Sequence, residues 1–297
     1  MMLYDHISSN KRKSILLIVL FFVIIGILGY ALGAYIGNVF IGLSFAIILS
    51  VIMTLVSFYS GDKMILSMSH AIIADKKKYP HLVNSVEGLA IAAGIPTPKI
   101  YVIDDSAINA FATGRDPEHA AVTVTTGAIQ RLKRDELEAV IAHEMAHIRN
   151  YDIRMMMLVV VLVGVVALLS DLFLRSFIYG KRKDDIKGGT IVIVVVLIGI
   201  VLAILTPLIA QLIKLSISRK REFLADADGA LLYRNPKSLA NALKAIRDDK
   251  EPLVEAANKA TAHLFIENPL RNFKGKVNGL FSTHPDINER IRILEKM

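Results

Sequence analysis

Hydrophobic residues are gathered in long uncharged blocks along this chain, and polar residues lie between the blocks. The stretch 14–61 contains 48 residues without one Asp, Glu, Lys or Arg. One membrane-spanning helix needs about 20 apolar residues, so this stretch predicts two spans, near Ile15–Ala34 and Val39–Tyr59. Two further apolar blocks, Met155–Leu174 and Gly188–Ile213, predict a third and a fourth span.

Basic residues next to the predicted spans indicate their orientation, because Lys and Arg collect on the cytosolic side. Ten of them flank the two hairpins on one side: Lys11, Arg12, Lys13, Lys63, Arg149, Arg154, Lys214, Arg219, Lys220 and Arg221. Both termini and the polar segments are therefore expected in the cytosol. The loop 175–189 also carries five basic residues, which leaves two alternatives open: the second hairpin crosses the bilayer, or it enters without fully crossing.

The composition narrows the kinds of site that the chain can form. With 54% hydrophobic residues and no cysteine, it can form neither a disulfide framework nor a thiolate metal site. Any metal ligands must then be His and carboxylate side chains. The net charge of +8 is not arranged as a basic stripe with interleaved aromatic residues, so nucleic-acid binding is not expected. Positive charge beside apolar spans favours a lipid bilayer as the partner.

The segment His143–His147 reads His-Glu-Met-Ala-His and carries the clearest chemical signal in the chain. It follows a run of good helix formers that has acidic residues in its first turn. On a helix, His143 and His147 lie one turn apart on the same face, so both imidazoles can reach one zinc ion. Glu144, beside the first ligand, can act as the base that deprotonates a water activated by the metal.

Catalytic zinc needs a third protein ligand, and Glu222, which follows the fourth predicted span, is the candidate. With a turn at 175–189, the helical rise of about 1.5 Å per residue places His143, His147 and Glu222 about 48, 42 and 50 Å from that turn. The hairpin can therefore bring the three together just above the cytosolic surface. Asp226, four residues after Glu222 on the same face, is expected to accept the second N–H of a ligand imidazole.

Two segments rich in β-forming residues, Lys99–Ile103 and Ala120–Thr126, predict a small sheet beside the metal helix. An edge strand near the metal could bind an extended peptide by backbone pairing, with Thr123 as a contact; an ordinary packed sheet is the alternative. Asn109 could contact the substrate backbone or the developing oxyanion, or serve only as a turn residue.

Two residues near the C-terminus are further candidates. His284, directly before Pro285, could stabilise the tetrahedral intermediate or block the metal in a resting state. Arg290 could orient His284 or meet a carboxylate. For both, a plain surface position is the alternative.

In their order along the chain, these motifs resemble the HtpX family of membrane-integrated zinc metalloproteases. The matching segments are Gly94–Ile103, Asn109–Gly114, the His-Glu-x-x-His helix, Ser218–Glu222 with Ala225 and Asp226, and Ser282–Pro285 leading to Arg290. The resemblance implies a gluzincin-type peptidase with one zinc ion held by His143, His147 and Glu222, and with Glu144 as base. It also implies that the segment containing Ala110 and Phe111 faces the substrate.

The expected fold is a mainly α membrane protein with four transmembrane helices and a cytosolic α+β zincin-like metalloprotease domain that carries a small β-sheet. The expected segments are a cytosolic N-terminus at 1–14, a hairpin at 15–59, a first catalytic part at 60–154, a second hairpin at 155–213 and a second catalytic part at 214–297. The resemblance implies cleavage of misfolded or damaged membrane proteins on the cytosolic side of the plasma membrane.

Three other functions stay open at this point. An intramembrane protease is disfavoured because the His-Glu-x-x-His motif lies between Arg134 and Arg149, outside the apolar blocks. A CAAX-type prenyl-peptide protease would share the zinc chemistry. A non-catalytic metal-binding scaffold is the alternative from another class, although such a protein would often have lost Glu144. The sequence leaves the oligomeric state open.

Overall fold

A computed structural model describes residues 3–35, 37–161, 219–249, 266 and 285–297 of the chain. Two long helices come first, α1 (Leu3–Tyr35) and α2 (Val39–Met68), and they pack against each other as a hairpin. The Asn38 side chain caps α2 by accepting a hydrogen bond from the N–H of Ile41 at 3.2 Å, which starts the second helix directly after the turn.

Glycines allow these two helices to touch. A Cβ on Gly42 would lie 2.2 Å from the carbonyl oxygen of Gly29 and 2.5 Å from the Cα of Gly33, so no larger residue fits there without separating the helices. Gly37 has a φ of 82° and forms the turn, a conformation that glycine adopts without strain. The two helices are therefore in close backbone contact near the turn, as in many helix pairs packed in lipid.

The outside of the hairpin is apolar. Large hydrophobic side chains at least half exposed include Ile15, Leu16, Val19, Val23 and Ile27 on α1, and Ile41, Phe45, Ile48, Ile52 and Leu55 on α2. Within the described residues, α2 is the one helix long and apolar enough to cross a membrane. Helix α1 already begins at Leu3, inside the segment 1–14 that the sequence assigns to the cytosolic N-terminus. Of the third and fourth predicted spans, all but the helical residues 155–161 lie outside the described residues.

A four-stranded mixed sheet follows the hairpin, with strands β1 (Ile72–Ile73), β2 (Lys99–Ile103), β3 (Ala110–Gly114) and β4 (Ala120–Thr125). Their spatial order is β1-β2-β4-β3; β4 runs parallel to β2 and antiparallel to β3. The second predicted strand ends one residue early, because the Thr125 hydroxyl caps the short helix α4 (Thr126–Arg131).

The remaining described helices are α3 (Pro80–Ala93), α5 (Arg134–Arg149), α6 (residues 152–161), α7 (Arg219–Tyr233), α8 (Pro236–Asp248) and α9 (Ile287–Leu294). The largest core lies where α3, α5, α8 and α9 pack on one side of the sheet, around residues such as Val122 and Ile141. A smaller core joins Phe111 of β3 to Ile65 of α2 and Met157 of α6. The sheet therefore connects the apolar hairpin to the domain that contains helix α5.

Candidate metal centre

Helix α5 begins at Arg134, and the Glu136 side chain caps it by accepting a hydrogen bond from the Lys133 N–H at 2.9 Å. Helix α7 crosses α5 at very short range. A Cβ on Gly229 of α7 would lie 2.9 Å from both the N and the Cα of His143. Because glycine permits this approach, the first turn of α7 places Glu222 beside the histidines of α5.

The three predicted ligands come together in a buried site. The Nε2 atoms of His143 and His147 lie 3.2 Å apart. The Glu222 carboxylate lies 3.8 Å from His143 Nε2 through Oε2 and 3.6 Å from His147 Nε2 through Oε1. One donor atom from each residue lies within 4.8 Å of the other two, and all three residues are at most 5% exposed.

The arrangement of donors fits a tetrahedral metal ion. Two zinc ligands at about 2.0–2.1 Å in tetrahedral geometry lie about 3.3 Å apart, close to the 3.2 Å between the two Nε2 atoms. Each Nδ1 faces a carboxylate 3.0 Å away, Asp226 for His143 and Asp152 for His147. The Nδ1 side of each imidazole is thereby turned to a carboxylate, and both Nε2 atoms face the space beside the Glu222 carboxylate, where a cation would be stabilised.

His143 is oriented from the C-terminal side of the chain. Its partner Asp226 lies on α7, and both oxygens of this carboxylate accept hydrogen bonds from Arg290 of α9, from Nε at 2.8 Å and from Nη2 at 2.7 Å. Burial raises the pKa of Asp226, but Arg290 and the imidazole outweigh it and hold the pKa well below its usual range. The lowered pKa favours the ionised form of Asp226, whose carboxylate lies 3.0 Å from His143 Nδ1.

His147 is oriented from the opposite end of the chain. Asp152, the first residue of α6, faces His147 Nδ1 through Oδ2 and accepts a hydrogen bond from Asn10 of α1 through Oδ1 at 2.7 Å. Burial lowers the pKa of His147, but the hydrogen bond to Asp152 and the charge of Glu222 outweigh it and raise the pKa to about 9. These carboxylates favour a positive charge beside His147, whether a proton or a metal ion.

Glu144 lies between the two histidines in sequence and is 2% exposed. Burial raises the pKa of Glu144, and this effect outweighs the opposing charges of His143 and His147. A carboxylate with a raised pKa holds a proton more readily near neutral pH, which suits a group that takes up and returns a proton during catalysis.

The structure separates the four residues that the sequence suggests for substrate contact. Thr123 lies on β4, which pairs with β2 and β3 on both sides, so its backbone is not at an edge of the sheet. The Phe111 side chain is fully buried in the core between β3 and α2. Both residues therefore support the sheet, and the structure does not place them where they would contact a substrate directly.

Asn109 and Ala110 lie at the start of β3, the outermost described strand next to β4. The Asn109 carbonyl accepts the Thr125 N–H from β4 at 3.1 Å, so the neighbouring Ala110 backbone faces away from β4. The Ala110 N–H donates to the Asn109 side chain at 3.0 Å, and its carbonyl accepts from the Ile266 N–H at 3.1 Å. A peptide that paired at Ala110 would compete with Ile266.

Of the two C-terminal candidates, His284 lies outside the described residues, and Arg290 meets a carboxylate, that of Asp226. Sequence reasoning missed Asp152 and Asn10. Asp152 follows the second histidine by five residues, beyond one helical turn, so the spacing gives no signal. Asn10 is a polar residue in the basic segment just before the first apolar block, a position in which a solvated side chain is the ordinary expectation.

Two histidines one helical turn apart and a glutamate from a second helix form a centre typical of a metallopeptidase. The sequence profile of peptidase family M48 matches residues 76–297, so the chain belongs to that family. It is similar over its full length to proteases named HtpX homologues. The one from Caldanaerobacter subterraneus is 44% identical over 99% of this chain and 98% of its own, and the one from Dictyoglomus thermophilum is 44% identical over 99% and 94%. A homologue from Listeria monocytogenes is 39% identical over the whole of both chains.

These matches confirm the resemblance that the motifs indicate, and the protein is a membrane-bound, metal-dependent peptidase that acts on polypeptides. The prenyl-peptide protease and the scaffold are not favoured by them. A more distant likeness is to the crystal structure of S. mikatae Ste24p, with a TM-score of 0.49 and 21% identity over 84% of this chain and 57% of that one. That similarity is too weak to transfer fold or function.

Proposed function

We propose that this protein is a zinc-dependent endopeptidase that cleaves misfolded or damaged membrane proteins, and unfolded polypeptides, on the cytosolic side of the plasma membrane. In this proposal His143, His147 and Glu222 hold the zinc ion and Glu144 is the general base. The observation that carries it is the convergence of one donor atom from each ligand within 4.8 Å, in a buried site adjoining Glu144.

The choice of zinc rests on the donors. Two imidazole nitrogens and one carboxylate form the ligand set of many hydrolytic zinc sites, which keep one coordination position open for chemistry. The chain has no cysteine that could offer sulfur. Asp226 and Asp152 hold the Nδ1 sides of the two histidines, and such outer partners raise the basicity of ligand imidazoles.

The chemistry divides between the ion and the protein. When bound, zinc would supply a Lewis acid that polarises the scissile carbonyl and acidifies a water molecule. Glu144, buried and with a raised pKa, takes the proton from that water and delivers it to the leaving amine. Asp226 with Arg290 and Asp152 with Asn10 keep the two imidazoles fixed during these proton transfers.

Strand β3 is the proposed binding strand for the polypeptide. It packs against α5, the helix with the two histidines, and is the outermost described strand on its side of the sheet. An extended chain can pair with outward backbone groups of such a strand whatever its side chains are, which suits a peptidase for unfolded substrates. In this proposal Ala110 provides those groups, with the Asn109 side chain beside its N–H, and the substrate displaces the Ile266 N–H from the Ala110 carbonyl.

The hairpin supports a membrane location with the site on the cytosolic side. Its apolar exterior ends near Phe58 and Tyr59, where two guanidinium groups lie over the aromatic rings: Arg115 is 5.2 Å from the Tyr59 centroid and Arg154 is 5.7 Å from that of Phe58. Aromatic and basic residues together mark a bilayer interface. The catalytic helices then lie directly beyond this interface, and a multi-pass topology follows if the second hairpin also crosses.

The catalytic assignment is tested with Glu144→Gln in the purified full-length protein, using an unfolded polypeptide substrate and elemental analysis. Loss of a general acid-base group predicts a decrease in the cleavage rate of about 10²–10⁴-fold with zinc content unchanged. Glu87→Gln is the matched control, since Glu87 is an exposed partner of Lys76. Wild-type cleavage by Glu144→Gln would refute the assignment.

The orientation is tested by cysteine labelling, which is unambiguous in a chain without native cysteine. Lys76→Cys is expected to react only with a reagent on the cytosolic side, and Phe40→Cys, 84% exposed at the turn of the hairpin, only from outside. Labelling of both positions from the same side would contradict a crossing hairpin.

A further inference from the structure

One polar contact joins the membrane hairpin to the metal centre. Asn10 of α1 is 4% exposed although it lies among basic residues just before the apolar block. Its amide Nδ2 donates two hydrogen bonds, to Asp152 Oδ1 at 2.7 Å and to the Asn150 carbonyl at 2.9 Å. Both acceptors lie about 140 residues further along the chain, so this contact is a feature of the tertiary fold.

The acceptors belong to a tight turn between α5 and α6. Asn150 follows the end of α5, Tyr151 has a φ of 61°, and Asp152 opens α6. A left-handed conformation is uncommon for a residue other than glycine and costs energy that the surroundings must supply. This turn ends α5 two residues after His147 and redirects the chain, so that Asp152 Oδ2 comes to 3.0 Å from His147 Nδ1.

Two neighbouring residues of α1, Asn10 and Lys11, contact this turn. Asn10 binds the backbone and the carboxylate, and the Lys11 ammonium lies 4.4 Å from the centroid of the Tyr151 ring. Each oxygen of Asp152 therefore has its own partner: Oδ2 meets His147, and Oδ1 meets Asn10 at 2.7 Å and Arg221 Nε at 3.6 Å. A carboxylate held at both oxygens cannot rotate away from the imidazole.

We infer that Asn10 is a positioning residue of the metal centre: by holding Asp152, it fixes the orientation of His147 and so raises the affinity for the catalytic metal. This inference rests on the proposed function, in which His147 is a ligand. The Asn10 amide adds hydrogen bonds without adding a charge, whereas Arg221, and the imidazole when it is protonated, bring positive charge to Asp152. Because Asn10 lies on the helix that enters the apolar block, the packing of α1 is thereby coupled to the metal centre.

The experiment compares zinc affinity in the full-length protein in detergent micelles, by chelator competition, for wild type, Asn10→Leu and Ser8→Ala. Leu has a similar volume and no amide, and Ser8 is an exposed residue of the same helix. Partners outside the ligand set typically change metal affinity 10–100-fold, and Asn10→Leu is expected to weaken zinc binding about tenfold. Ser8→Ala is expected to match wild type. The absorption bands of bound Co²⁺ should shift in Asn10→Leu alone, which a loss of general stability would not produce.

A double-mutant cycle separates an effect of Asn10 through Asp152 from a general effect on stability. If Asn10 acts through Asp152, Asn10→Leu has little further effect on zinc affinity in an Asp152→Asn background. Wild-type zinc affinity in Asn10→Leu, or additive losses in the cycle, would overturn the inference. Failure of the proposed function itself is separate, since it would be seen as absence of zinc from the wild type or as cleavage by Glu144→Gln.

Discussion

Each of the two histidines of α5 faces an aspartate, but the two aspartates come from different helices and have different partners. His143 faces Asp226, which Arg290 binds through two hydrogen bonds, from Nε at 2.8 Å and from Nη2 at 2.7 Å. His147 faces Asp152, which the neutral amide of Asn10 binds at 2.7 Å. The first arrangement is built from the C-terminal helices and pairs two charges directly. The second joins the N-terminal helix to the start of α6, and the Arg221 guanidinium lies further off at 3.6 Å from Asp152.

This difference predicts separate roles for the residues around His143 and the residues around His147. A buried carboxylate that is paired with a buried arginine depends on that pair, because removing one member leaves an uncompensated charge. The side of His143 is therefore expected to decide whether the domain folds. On the side of His147 the closest outer partner is the neutral Asn10 at 2.7 Å, and Arg221 lies further away at 3.6 Å, so this side is expected to affect the metal more than the fold.

The largest effect is expected from Arg290→Met, which breaks the pair on the His143 side. Arg290 is fully buried, and its loss leaves Asp226 as an unpaired buried anion, which should lower the free energy of unfolding by about 3–5 kcal/mol. Chemical denaturation measures this change. Arg292→Met, an exposed change on the same helix, should stay within about 0.5 kcal/mol of wild type. Equal stabilities of the two variants would contradict the division of tasks.

The next effect is expected on the His147 side, from Asp152→Asn. The amide cannot hold the imidazole as a carboxylate does, and zinc affinity should fall about 10–100-fold while the fold persists. Chelator competition measures the affinity, and Asp104→Asn at an exposed position is the control. A large loss of stability in Asp152→Asn with wild-type zinc affinity would contradict the expected role of the His147 side.

A smaller effect is expected from separating α5 and α7 with Gly229→Ala. The added methyl would lie 2.9 Å from His143 backbone atoms, and overpacking of this kind typically costs about 1–3 kcal/mol. Zinc affinity should decrease as well, because Glu222 moves with α7. Gly88→Ala in α3, where a Cβ meets nothing within 4 Å, should instead stabilise the protein by about 0.5–1 kcal/mol. Stabilisation by both substitutions would show that the helices are not in close contact.

The smallest effect is expected from a carboxylate of α5 on the side away from the metal. Burial raises the pKa of Glu138, but hydrogen bonds from Arg134, Ser85 and Tyr233 outweigh it and hold the pKa below its usual range. The stabilisation is therefore present above the ordinary glutamate pKa of about 4.3 and is lost as pH falls through the lower folded value. Glu138→Gln should cost about 1 kcal/mol at pH 7 and progressively less in acid, as followed by unfolding at several pH values. A difference that grows in acid would exclude the lowered pKa.

The sequence predicts the parts of the centre that depend on local spacing. His143, Glu144 and His147 follow from a helical repeat, and β2 agrees with its predicted range because its residues favour strands. Glu222 required an assumed hairpin. The order of the strands, the position of Thr123 inside the sheet and the contact of Asn10 with Asp152 depend on long-range packing, which no short pattern records.

The most direct test of the metal centre is X-ray absorption at the zinc edge of the loaded full-length protein. The geometry predicts two imidazole nitrogens and oxygen donors at about 2.0–2.2 Å, with one ion per chain. The spectrum of Glu222→Gln should change in its oxygen shell, and His147→Ala should lose one imidazole. An unaltered spectrum in both variants, or a wild-type spectrum without imidazole scattering, would contradict the assignment of His143, His147 and Glu222 as the ligands.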